Sequence, residues 1–320
     1  MAGHPILVVL GPTGVGKTAV AVEVAERLGG EIVGCDALQV YRGLDAATAK
    51  PTAQQRARIM HHVVDCVDPR ERFTAGRYVR MADEAIAVAR SRGRVPIVVG
   101  GTGMYFRALM RGLAELPETD VTLRERLRKI AERRGPEALH RMLTGIDPRS
   151  AARLAPRDVQ RVVRGLELAI GAGRTWSESL AGAGTWGRTD ERMSAVKVAL
   201  DLERGERGEL ARRLEARVRE FFERGLIDEV RGLLDSGVPE AAGAFAAIGY
   251  REAAEVVRGR SSLDVAIARA QRRTRQLAKR QRTWIRSERG VTWIDASAGA
   301  IEAAGRIVTV WRERSGSEAP

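Results

Sequence analysis

Cysteine is nearly absent from this 320-residue chain. Cys35 and Cys66 are the only two, too few for a disulfide framework and without the spacing of a metal-binding cluster. That usage suits a reducing, cytoplasmic setting. Long apolar runs are missing as well. The run nearest the start, residues 6–10, is far shorter than a signal-peptide core or a membrane span, so no membrane association is expected. There is no internal repeat and no low-complexity tract. Histidine numbers four, and the pair His61-His62 has no further ligands at metal spacing, so both are expected to be structural. No heptad seam demands an oligomer, and a monomer is expected.

Charge is what the chain has in excess. Hydrophobic residues make up 44% and charged residues 30%, a globular profile with enough length for about two domains, or for one large core with an insertion. Lys plus Arg is 54 against 41 for Asp plus Glu, a net charge of +13. Such a chain is favoured near polyanions, of which nucleic acid is the commonest in cytoplasm. Arginine spread liberally over solvated faces would give the same total, so clustering has to decide.

The first hundred residues alternate strand and helix signals. Residues 6–10 read as a buried strand, 18–28 as a helix, 31–34 as a strand, 77–91 as an amphipathic helix and 96–99 as a third strand. This order predicts a parallel sheet covered by helices on both faces. From about Leu113 to about Asp190 only helical periodicity and breakers follow. A helix is predicted over 123–134, and another is expected to start at Pro156 and carry Val159, Val162, Val163, Leu166 and Ile170 on its apolar face. Gly182, Gly184 and Gly187 mark a loop, 195–202 reads as a strand, and the end of the chain is mostly helical with a last strand over 291–295. The division expected is a core from 1–114 and 192–320 with a helical insertion over 115–191.

The most specific motif is GPTGVGKT, Gly11-Pro12-Thr13-Gly14-Val15-Gly16-Lys17-Thr18. It matches a phosphate-binding loop and lies between a strand and a helix. Glycines let backbone amides converge on one point, the helix N-terminus adds positive potential and Lys17 adds a full charge. Thr18 has the hydroxyl that commonly ligates Mg²⁺. The motif specifies a polyphosphate or diphosphate and does not distinguish ATP from other ligands. A phosphoryl-transferring enzyme of this kind usually ends a neighbouring strand in a metal-holding Asp. Here the strand ends in Gly100-Gly101-Thr102-Gly103, which weakens an ATPase reading and leaves small-molecule kinases open. An acid does end the second strand: Asp36 is either a general base facing the phosphates or a turn-capping residue. Gln39, Tyr41 and Arg42 follow it and could read a base or bind phosphate.

Basic residues do cluster. Residues 271–286 hold seven cations and no acid. Arg272, Arg275, Lys279, Arg282 and Arg286 fall on one helix face, with Leu277 and Trp284 roughly opposite as anchors. This face is a candidate phosphate-backbone track, or a solvated face neutralised by acids from elsewhere. Arg149, Arg153, Arg157, Arg161 and Arg164 form a second basic series, interrupted by Pro156.

Taken together, these blocks resemble the tRNA dimethylallyltransferase (tRNA isopentenyltransferase) family over nearly the whole chain. They are GPTGVGKT at 11–18, CDALQVYRGLDAATAKP at 35–51, HHVVDCVDP at 61–69 and VPIVVGGTGMYFRALMRGL at 95–113. They continue with DPRSAARLAPRDVQRVVRGLEL at 147–168, RVREFFERGLIDEV at 217–230, AIGYRE at 247–252 and TRQLAKRQRTWIR at 274–286. Ala37 departs from the pattern, since the family often has Ser there. The resemblance implies a P-loop NTPase-like α/β fold with a helical insertion domain. It also implies transfer of a dimethylallyl group from dimethylallyl diphosphate to the N6 amine of the adenosine just 3′ of the anticodon, in tRNAs reading codons that begin with U. The loop 11–18 would then hold the diphosphate with Mg²⁺, and Asp36, Thr102 and Arg217 would be the catalytic residues. Contacts to tRNA would come from Asp36, Ala37, Leu38, Gln39, Thr102, Arg124, Gln160, Arg161, Val162, Val163 and Arg164. Arg275, Lys279 and Arg282 would follow its backbone.

Other readings share parts of this pattern. A P-loop small-molecule or nucleoside kinase needs neither basic region. A prenyltransferase acting on free adenine nucleotides needs no second grip on its substrate. An RNA-binding protein with a vestigial loop would not need Lys17, Thr18, Asp36 and Thr102 together. A label of ATP binding would follow from the loop motif alone.

Overall fold

The computed structural model describes residues 4–113, 120–183, 191–202 and 208–316. Among these, six strands form one sheet: β1 (Ile6–Leu10), β2 (Gly30–Cys35), β3 (His61–His62), β4 (Val95–Gly100), β5 (Ala195–Asp201) and β6 (Val291–Asp295). The order is β3-β2-β4-β1-β5-β6, and every pairing is parallel. β1 is buried throughout because both its faces are covered. Ile6, Val8 and Leu10 point into one apolar cluster, and Leu7 and Val9 into the other. Burying each such side chain contributes about 1.5–3 kcal/mol. One face is closed by helices Lys17–Leu28 and Ala300–Ser315, with Ile307 and Trp311 in the cluster. The other is closed by helices that include Ala75–Ser91, Gly103–Arg111, Glu209–Glu223, Leu226–Asp235 and Leu263–Arg286.

Register brings the strand ends level. Leu10 lies opposite Gly100 and Ala199, and Cys35 lies opposite Gly100. The residues that follow β1, β2 and β4 therefore emerge side by side at the carboxyl edge, where open α/β sheets bind ligands.

The two-residue strand β3 is too short to show as a pattern in the sequence. His61 and His62 pair with Ile32 and Val33, and His62 Nε2 meets Glu31 Oε2 at 2.7 Å. The helix expected to begin at Pro156 begins at Val159 instead. Asp158 caps it by accepting from the Arg161 N–H at 3.3 Å. Among the described residues, the prolines that do open helices are Pro136 and Pro148. The basic series from Arg149 to Arg164 is thus split between elements. Of the glycines read as a loop, Gly182 belongs to helix Trp176–Ala183, and Gly184 and Gly187 lie outside the described residues.

By contacts the chain divides into two compact units, Met1–Met110 with Arg192–Pro320, and Arg111–Glu191. The second has its own apolar cluster of Leu127, Leu139, Leu143, Ala151, Val162, Val163 and Leu166.

Candidate active site

The loop after β1 turns through Gly14 (φ 81°) and Gly16 (φ 93°), a region that disfavours other residues. Gly16 ends the turn and caps helix Lys17–Leu28 without a side chain, which leaves the helix's first amides and their positive potential to the site. Lys17 Nζ donates to Pro12 O at 2.9 Å. Burial pulls its ammonium down to about 8, opposed by Asp36 and reinforced by Arg217. Lys17, Asp36 and Arg217 therefore feel one another's charge.

Asp36 follows β2. Its Oδ1 accepts from the N–H groups of Leu38 at 2.9 Å and Gln39 at 3.3 Å, so the turn-capping role is real and occupies one oxygen. Oδ2 makes no hydrogen bond to the described residues. Thr102 follows β4: its N–H donates to Cys35 O at 3.3 Å, and its Oγ1 accepts from the Ala37 N–H at 3.2 Å. The hydroxyl proton of Thr102 remains to be donated. Arg217 rises from helix Glu209–Glu223, its guanidinium carbon 5.3 Å from the centre of the Phe221 ring. Burial lowers its pKa against the pull of Glu220 and Asp36. Beneath Asp36 the buried Cys35 thiol is pushed up to about 12 by burial, which keeps it protonated and inert.

Other expected contact residues have structural partners. The two N–H groups of the Gln39 amide go to Thr48 O at 3.1 Å and Ala49 O at 3.0 Å, tying down the following loop. Ala37 and Leu38 are half-buried and pack against the core. On the long helix Leu263–Arg286 the buried face is Ala266, Ala270, Thr274, Ala278, Gln281 and Ile285. Leu277 is only half-buried, so the anchoring face is rotated from the one expected. Arg282 reaches Asp201 Oδ2 at 2.5 Å and 3.0 Å, and Arg275 reaches Glu215 at 2.5 Å. Acids from other elements thus neutralise part of the cationic face. Arg272, Lys279, Arg280 and Arg286 stay exposed without an ion pair among the described residues.

In the second unit, Arg124 makes a forked pair with Glu167 at 2.6 and 3.1 Å, and Arg164 lies 3.5 Å from the same buried carboxylate. Gln160 is exposed, as is Arg161 at 66%, the latter 3.4 Å from Asp158. The side chains of Val162 and Val163 are 0% and 3% exposed. They fill this unit's core, so any part they play in binding is to support the surface.

Sequence reading missed Gln281. Its Oε1 accepts from the Thr13 N–H at 2.8 Å, and its Nε2 donates to Gly101 O at 3.1 Å. The available signal was a lone amide on a helix face otherwise lined by Ala, Thr and Ile. The same helix accounts for the glycines after β4. A Cβ on Gly101 would sit 2.4 Å from Gln281 Nε2, and one on Gly103 would sit 2.8 Å from the Trp284 ring. A separate groove of about 450 Å³, lined in part by Arg219, Phe222, Leu263 and Gln271, contains none of these groups.

A parallel sheet with a glycine-rich loop and lysine at its carboxyl edge, beside an aspartate and a threonine, defines an α/β protein of the P-loop kind. Similarity narrows the class. The IPP transferase family model matches residues 39–288, the isopentenyl transferase model matches residues 4–61, and the chain belongs to the IPP transferase family. A tRNA dimethylallyltransferase of Anaeromyxobacter sp. (strain K) is 49% identical over 306 residues, covering 95% of this chain and 96% of the relative. One from Halorhodospira halophila is 45% identical, covering 89% and 90%. Among solved structures, the full-length tRNA isopentenylpyrophosphate transferase of Bacillus halodurans matches with a TM-score of 0.69 at 34% identity, covering 98% of this chain and 99% of that one. A eukaryotic dimethylallyltransferase acting on tRNA matches with a TM-score of 0.73 at 27% identity, covering 98% of this chain and 77% of that one.

Proposed function

We propose that this protein transfers a dimethylallyl group from dimethylallyl diphosphate to N6 of the adenosine just 3′ of the anticodon, in tRNAs reading codons that begin with U. The products are N6-dimethylallyladenosine and diphosphate. The bond from the allylic carbon to oxygen breaks, and its electron pair leaves with the diphosphate. The bond from N6 to that carbon forms, and an N6 proton passes to Asp36 Oδ2. The loop amides, Lys17 and Arg217 stabilise the charge that grows on the leaving group. The exocyclic amine of adenine is a weak nucleophile, so orientation by Thr102 and partial deprotonation by Asp36 both lower the barrier. A base stacked in the anticodon loop cannot reach this edge of the sheet and has to be flipped out.

Magnesium fits the donor set in one way. No group of three or more acidic, His or Cys side chains able to hold a metal occurs among the described residues, so the ion would be held by the Thr18 hydroxyl, substrate phosphate oxygens and water. It would supply charge neutralisation on the diphosphate. Gln160, Arg161 and the Glu167-braced pair Arg124 and Arg164 offer the insertion's surface to tRNA. Arg272, Lys279, Arg280 and Arg286 offer a backbone track. We place the enzyme in the cytoplasm as a monomer. No described helix is long and apolar enough to cross a membrane.

The observation that carries the reading is Asp36. One carboxylate oxygen is committed to its turn, the other is open, and the group is electrostatically linked to Lys17 and Arg217. The test is incubation of the protein and Mg²⁺ with labelled dimethylallyl diphosphate and unmodified tRNA, without ATP. Label in the tRNA is expected. Label only in added AMP would replace the proposal with a nucleotide prenyltransferase. No label, with ATP turnover instead, would replace it with a kinase.

A further inference from the structure

We propose that Gln281 is a positioning residue for the transfer, one amide that sets the spacing between the diphosphate loop and the acceptor side of the site. The inference rests on the reaction proposed above.

The argument starts from two peptide units. The Pro12–Thr13 peptide presents its C=O to Lys17 Nζ at 2.9 Å and its N–H to Gln281 Oε1 at 2.8 Å. Both ends of one peptide plane are therefore held, and the end that Gln281 does not hold carries the lysine that meets the diphosphate. The Gly101–Thr102 peptide is held in the same way. Its C=O accepts from Gln281 Nε2 at 3.1 Å, and its N–H donates to Cys35 O at 3.3 Å. Thr102 then receives the Ala37 N–H beside Asp36. One side chain thus joins the peptide that orients Lys17 to the peptide that orients Thr102. Losing it frees one end of each plane, and a shift of about 1 Å between reacting groups costs about 10²-fold in rate.

An amide suits this place because it presents an acceptor and a donor together. A carboxylate accepts only and would face the Gly101 carbonyl oxygen. The amide is itself held in place. Gln281 is 7% exposed, its neighbour Arg282 is paired with Asp201, and Trp284 packs on Gly103 and Phe106. The helix end cannot drift without disturbing these contacts. Nothing in the geometry places Gln281 against substrate, so its effect passes through Lys17 and Thr102.

The test is Gln281→Leu, close in size and without polar atoms, with transfer kinetics, calorimetric binding of inorganic pyrophosphate and tRNA affinity measured side by side. The expected result is a kcat lower by about 10²-fold, weaker pyrophosphate binding and unchanged tRNA affinity. Gln281→Glu keeps the Thr13 bond and loses the Gly101 bond, so it should spare pyrophosphate binding better than it spares kcat. If Gln281→Leu does not fold, this split in Gln281→Glu decides alone. A kcat within twofold of wild type overturns the inference. So does a parallel fall in kcat, pyrophosphate binding and tRNA affinity, which marks a merely structural residue. If the wild type transfers nothing, the reaction proposed above has failed, and pyrophosphate binding that is identical in wild type and Gln281→Leu would overturn the positioning role separately.

Discussion

At the scale of the residue, the proposed reaction asks two things of the one Asp36 carboxylate. Replacing it with alanine removes both the proton acceptor and the cap on the Leu38–Gln39 turn. Asparagine can keep the cap and removes only the acceptor. Both variants should lose transfer by about 10²–10⁴-fold while largely keeping their affinity for tRNA. An equal loss of tRNA binding in Asp36→Asn would remove the general-base role. Lys17 makes a pH prediction. Burial pulls its ammonium in the free protein down to about 8, below the ordinary 10.5, and a bound diphosphate would hold it protonated. Above about pH 8, binding must take up a proton, so affinity falls as pH rises. Lys17→Arg stays charged, and the difference in pyrophosphate affinity between it and wild type should open only above that pH. The unliganded fold should show the opposite trend. Its unfolded chain binds more protons between about 8 and 10.5, so thermal stability should rise with pH across that window relative to Lys17→Met. The residues Gly11 to Thr18, Asp36 and Thr102 could all be named from motifs. Arg217 could be named through the family resemblance, but Gln281 could not, because it reaches Thr13 and Gly101 from a chain segment remote in sequence.

At the scale of the element, the helix Leu263–Arg286 has two faces with different work. Gln281, Arg282 and Trp284 turn toward the loop edge, the end of β5 and the glycine turn. Arg272, Lys279, Arg280 and Arg286 turn to solvent. The sequence pattern placed Arg275, Lys279 and Arg282 on one track, yet two of these three bond acids on other elements. A test of salt-dependent tRNA binding therefore belongs to the exposed cations. Removing Arg272, Lys279 and Arg280 together should reduce the slope of log affinity for tRNA against log salt by about two to three. Equilibrium binding between low and moderate salt reads that slope, and an unchanged slope puts the tRNA elsewhere. Removing Arg275 alone should do less, since Glu215 already occupies it. Helical periodicity grouped the cations on one stripe, although Arg282 faces Asp201 and the anchoring face is rotated from the one expected. It could not tell which acid another helix or strand would bring to that face.

At the scale of the whole molecule, the insertion is a unit with its own core, and the chain closes where it leaves. The Arg192 N–H donates to Met110 O at 2.8 Å, and Arg192 Nη2 reaches Asp83 at 2.5 Å. A short glycine-serine linker in place of residues 112–190 should therefore leave a core that melts cooperatively and binds pyrophosphate. The same variant should lose tRNA affinity and transfer. Calorimetry and filter binding on one preparation check both halves. Retained tRNA affinity would remove the insertion from the binding surface.

The sequence by itself determined the alternation of strand and helix, the parallel sheet and the phosphate loop, because each depends on local patterns a few residues long. It also carried the family resemblance, through ordered blocks along nearly the whole chain. The tertiary structure alone decided the register that levels Leu10, Cys35 and Gly100, and the seat of Gln281 between two loops. It alone decided which arginines are paired. Those outcomes depend on contacts between segments as far apart as Thr13 and Gln281. No local pattern encodes a hydrogen bond whose partner arrives more than two hundred and sixty residues later.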